Sequence, residues 1–145
     1  MSGDRARRAE RVMELRKRAV ELAQTACAKA MQAAIEAEAA AKSAESEWVR
    51  ASAEAPLDAS SITDLAELSA WIRSLRTRAD RAALRAAELH REVERAQAAL
   101  TSARAEHRRI ELWRDGLIAA ERAVASRKER VAADEVAART ARRHG

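Results

Sequence analysis

A chain of 145 residues is one domain in length, but 48% apolar and 2% aromatic content, with no Phe or Tyr, is not the makeup of a globular core. Ala carries most of the apolar share, and with three Gly and one Pro the composition excludes strands and frequent turns in favour of long helices. The net charge of +5, on 35% charged residues, is what the wet faces of such helices require and calls for no ligand of its own.

Asp4 to about Glu54 is expected to form the first helix. Met13, Val20, Cys27, Ala34, Ala41 and Trp48 fall seven apart, with companions at Arg16, Ala23, Ala30, Ala37, Ala44 and Ala51. This is a heptad seam built largely of Ala, which lets two helix axes approach closely but holds them weakly. Arg5, Arg7, Arg8 and Arg11 precede no apolar stretch, and no run approaches the ~18 apolar residues of a membrane span. The chain is therefore expected to be cytoplasmic and not inserted in a membrane. Cys27 stands alone, so no disulfide can close within the chain.

Residues 55 to 61, Ala-Pro-Leu-Asp-Ala-Ser-Ser, form the only stretch where Pro coincides with a polar cluster and are expected to be the turn. Ser61 followed by Asp64 is a capping-box variant that marks the start of the second helix.

That second helix is expected over about 62 to 143. Its seam runs without a polar interruption through Leu65, Leu68, Ile72, Leu75, Ala79, Ala82, Ala86, Leu89, Val93, Ala96, Leu100 and Ala103. Beyond it one seam position turns polar, at His107, Arg114, Glu121, Lys128 and Glu135. The other stays apolar, at Ile110, Leu117, Val124, Val131 and Ala138. A full seam wants a partner helix, and a half seam wants a narrower or intermittent contact. The short connection implies one all-α domain over 1–145, a two-helix antiparallel coiled-coil hairpin. With the turn centred near Asp58, residue 4 falls opposite 113, so the longer C-terminal helix overhangs the open end from about 114. Gly116 sits at that boundary, as a small hinge or a tolerated helical Gly. Trp48 and Trp71 are expected to converge near the turn, beside Leu68.

Charge is uneven along such a hairpin. Residues 1 to 18 carry seven Arg or Lys against three acids, and residues 104 to 145 eleven against seven, a combined excess of eight positive charges where the termini meet. Residues 19 to 72 carry three against nine, so the turn end is acidic.

No Gly-rich phosphate loop is present, and the His residues at 90, 107 and 144 have neither metal-ligand spacing nor companions. The sequence therefore predicts no enzyme, cofactor or metal. Nucleic-acid binding has weak support, because the basic positions alternate with Glu106, Glu111, Asp115, Glu121 and Glu129 and can pair within the helix.

Arg109-Ile-Glu-Leu-Trp-Arg114, followed by Asp134, Glu135, Ala137 and Arg139, resembles the FliJ family of flagellar export proteins and its injectisome counterparts, the YscO-type stalk proteins. The likeness extends to length, a first helix, a tip, a longer second helix and a basic tail. The chain departs from the pattern at Arg130 and Val131, where the family commonly has Gln and Lys. The resemblance implies a central stalk of a type III secretion system, peripheral to the inner membrane. Its terminal end would enter a hexameric export ATPase and its tip side would engage an export gate protein, and escort chaperones would bind it. Trp113, Asp134, Glu135 and Arg139 match the family motif. Charge and position add Arg5, Arg7, Arg8, Arg11, Arg127, Lys128 and Arg130 to an ATPase-facing group, with Trp48, Leu68 and Trp71 on the export-gate side. The free chain is expected to be a monomer. The alternative is a basic coiled-coil protein that binds nucleic acid or an anionic membrane surface, with affinity that falls steeply with salt.

Overall fold

The computed structural model describes residues 2–54 and 61–144. It is all-α, with helix α1 at Ser2–Ala53 and helix α2 at Ile62–His144. The expected turn lies outside the described residues except for Ser61. Ser61 is the cap of α2: the backbone N–H of Asp64 donates to its Oγ at 3.1 Å, and the N–H of Leu65 to its carbonyl at 3.2 Å. These bonds satisfy amides that a helix start leaves without partners. At the end of α1 the N–H of Glu54 reaches the carbonyl of Arg50 at 2.9 Å, closing the last turn.

The chain divides into two compact units. Leu22–Thr101 forms a hairpin unit, and Met1–Glu21 with Ser102–Gly145 forms a terminal unit. In the hairpin unit the core consists of Cys27, Ala34, Ala44 and Ala51 from α1 against Leu75, Ala79 and Ala86 from α2. All seven are seam positions. The seam of α1 is indeed thin, since only methyls and one thiol are buried there. Each methyl removed from water contributes only about 0.8 kcal/mol, so the apolar layers specify pairing weakly.

Polar pairs across the two helices show the register. Arg76 Nη1 reaches Glu45 Oε1 at 3.4 Å, Arg78 Nη1 reaches Glu47 Oε2 at 3.7 Å, and His90 Nε2 lies 3.8 Å from Glu38 Oε2. Residue 46 is therefore level with 77, whereas a turn centred near Asp58 would set it opposite 71. The helices are antiparallel as expected but displaced by close to one heptad. As a consequence the first turns of α2 run ahead of the end of α1. Ile62 and Leu65 are 86% and 51% exposed, and cover of the α2 seam begins at Leu68.

In the terminal unit Ala9 is fully buried. Ala6, Met13 and Val20 on α1 are half-buried, as are Ala103, His107, Ile110, Arg114, Leu117 and Glu121 on α2. Arg16 Nη2 approaches Glu106 Oε2 at 4.0 Å. The polar seam positions up to Glu121 are thus covered by α1. From Arg122 to His144 every side chain is exposed. The segment without an α1 partner starts about two turns later than residue 114, for the same reason that the hairpin register is shifted.

Candidate functional site

The partnerless segment carries six of the eleven residues that the sequence assigns to the ATPase-facing group: Arg127, Lys128, Arg130, Asp134, Glu135 and Arg139. A heptad spacing puts Leu117, Val124, Val131 and Ala138 on one stripe. Leu117 is half-buried, while Val124 and Val131 are 50% and 53% exposed. Leu117 and Val124 border the start of α1, whereas Val131 is bordered by α2 residues alone. Two shallow grooves follow the stripe. The first, about 540 Å³, is lined by Asp4, Arg5 and Arg8 from α1 and by Leu117, Ala120, Glu121 and Val124 from α2. The second, about 370 Å³, lies on α2 alone, between Val124, Arg127, Lys128, Val131, Ala132 and Glu135.

The first groove holds an electrostatic oddity. Glu121 Oε1 is shielded from solvent and accepts no hydrogen bond from a described residue. Burying a carboxylate oxygen without a donor costs on the order of 1–3 kcal/mol. The heptad pattern marks Glu121 as a polar seam residue, but only the observed register sets it beside Asp4, Arg5 and Arg8.

Other candidates are distributed as follows. Arg7 and Arg11 are exposed on α1 outside the groove, and Arg130, Asp134 and Arg139 are exposed on α2. Trp113 is 47% exposed, next to Leu112 at 54%, so it offers an apolar surface and does not seal the seam. Between these residues the Arg109–Glu106, Arg108–Glu111 and Arg114–Asp115 pairs, at 3.3, 3.0 and 2.9 Å, absorb part of the basic charge within α2.

In the hairpin unit the two tryptophans have separate surroundings. The Trp48 ring is half-buried with the Arg76 guanidinium over it, 4.4 Å from the centroid. Trp71 is 52% exposed and lines a groove of about 230 Å³ with Glu47, Arg50, Ala51, Glu54 and Leu75. The heptad displacement moves Trp48 away from the level of Trp71, so in place of the expected convergence Trp48 forms a cation–π pair and Trp71 keeps an exposed indole. Leu68 is half-buried nearby in sequence. Arg76, which joins Trp48, Glu45 and Asp80, was not legible as a site residue, since one more Arg on a charged helix gives no signal.

Among the described residues no cluster of His, Cys, Asp and Glu could hold a metal ion, and no helix is long and apolar enough to cross a membrane. A family model for the flagellar FliJ protein matches residues 6–145, essentially the whole chain. The chain belongs to the FliJ family. It is thus a structural, non-enzymatic component of a type III export apparatus, and its work is in protein transport. The match includes both helices, the partnerless segment and every proposed ATPase-facing residue except Arg5. Comparison with curated proteins returns no match, and neither does comparison with solved structures.

Proposed function

We propose that this FliJ-family chain is the central stalk of the export apparatus, with its terminal unit inserted in the hexameric export ATPase and its hairpin unit turned to the export gate. The observation that carries the reading is the helical segment Arg122 to His144, exposed throughout although it continues a heptad stripe. An apolar stripe of this kind is stabilised by a surface that removes it from water. The basic residues on and beside it, Arg127, Lys128, Arg130 and Arg139, favour an acidic lining. Arg5, Arg7, Arg8 and Arg11 add the same sign from α1, and Trp113, Asp134 and Glu135 supply the family motif.

On the gate side the exposed indole of Trp71, with Leu68 beside it and Trp48 held under Arg76, provides an apolar anchor in acidic surroundings. Escort chaperones bind along the helices in this reading, and the protein works at the cytoplasmic face of the inner membrane. Binding of the export ATPase to the full chain and to a chain ending at Glu121 tests it. Loss of binding with retained helicity is the expected result, and undiminished binding would contradict insertion by this end.

A further inference from the structure

We infer that, in the free protein, the stripe on Arg122–His144 is covered by the same segment of a second copy lying antiparallel to it. This inference does not depend on the export ATPase. The groove on α2 is the starting point: Val124, Arg127, Lys128 and Val131 occupy the four positions that surround a hole in coiled-coil packing, and here the hole is open. When Val131 of a second antiparallel copy enters it, two-fold symmetry puts the first copy's Val131 into the matching hole. Arg127 then lies within one turn of Asp134 of the second copy, and Asp134 within one turn of its Arg127. Lys128 falls within one turn of Glu135 of the second copy, and Ala125 faces Ala132, which lets the axes approach. All four charged contacts join opposite signs.

The parallel alternative fails on the same residues. It would set Lys128 and Glu135 each against its own copy at the seam, placing like charges in contact. The segment is self-complementary only with itself reversed.

Only one apolar seam position per heptad contributes over about three heptads, so the pairing is weak and reversible. The chain is a monomer when dilute and pairs on concentration. Because pairing and engagement of a larger partner use the same stripe, self-association keeps it covered until such a partner competes for it.

Sedimentation equilibrium on the full chain over a hundred-fold concentration range tests the inference, with circular dichroism to verify that each variant remains helical. The native chain shows a reversible monomer–dimer equilibrium. Asp134→Arg sets Arg against Arg twice and weakens the dimer about tenfold or more. Arg127→Asp combined with Asp134→Arg restores both contacts with their signs exchanged and returns the equilibrium to near its native position. A native chain that stays monomeric throughout overturns the inference. So does an Asp134→Arg variant that associates as well as the native chain, or a double variant no better than the single one.

Discussion

The guanidinium carbon of Arg76 lies 4.4 Å from the centroid of the Trp48 ring, and the same side chain reaches Glu45 Oε1 at 3.4 Å and Asp80 Oδ1 at 3.3 Å. One residue of α2 therefore ties an aromatic and a carboxylate of α1 at a single level of the hairpin unit. Where the apolar layers are mostly Ala, such a tie carries more register information than the core beside it.

Arg76→Ala is expected to destabilise the hairpin unit by about 1 kcal/mol, mostly through the lost cation–π contact. The two ion pairs add little, since the Arg76 side chain is 46% exposed and water screens them. Thermal unfolding followed by circular dichroism measures this, and Trp48 emission should move to longer wavelength. An unchanged Tm and spectrum would show that Arg76 does not pin the register.

Leu75 and Leu65 report on the register directly. Both are seam residues, but Leu75 is 6% exposed and Leu65 is 51% exposed. Leu75→Ala should cost about 2–4 kcal/mol, since it removes the only buried large aliphatic side chain among the described residues. Leu65→Ala should stay within roughly 0.5 kcal/mol. Equal costs would mean that α1 extends to cover Leu65, as a turn centred near Asp58 requires.

Glu121→Leu should raise the stability of the terminal unit by about 1 kcal/mol. It removes the buried carboxylate oxygen that has no donor and replaces it with an apolar group at a seam position. A lower Tm would show that Arg5 or Arg8 swings in to pair with Glu121 in solution.

Gly116→Ala has a similar sign for a different reason. Gly116 lies inside α2, and a Cβ built on it meets nothing within 4 Å. The methyl group therefore adds helix propensity, about 1 kcal/mol, without a clash. The variant that is more stable yet loses ATPase binding would identify Gly116 as a hinge. Equal binding would mark it as a tolerated helical Gly.

Helix limits and the covered face were legible in the sequence because they follow from local rules. Ser61 and Asp64 announce the start of α2 through capping, and the heptad count from Leu68 to Glu121 picks out positions that are buried or half-buried without exception. The register was not legible. Successive α1 layers such as Ala30, Ala37 and Ala44 look nearly alike to a partner helix, so slipping by one heptad changes the apolar contacts little. The long-range pairs Glu45–Arg76 and Glu47–Arg78 decide between the two, and a single charged helix does not announce its partner. This displacement moved the start of the partnerless segment from about 114 to 122, parted Trp48 from Trp71, and brought Glu121 beside Arg5 and Arg8. The basic and motif residues of the segment itself were legible, since they depend on composition along one helix and not on what faces it.

The central claim is that Arg122 to His144 is the surface given over to the export ATPase. Amide hydrogen exchange on the full chain, with and without the ATPase hexamer, tests it most directly. At dilution, where the chain is a monomer, this segment is a single helix whose amides open readily. Addition of the ATPase should slow their exchange strongly, extend protection to the first turns of α1 around Arg5 and Arg8, and leave Ile62 to Leu75 unchanged. Protection confined to the hairpin unit, or none beyond Glu121, would contradict the account.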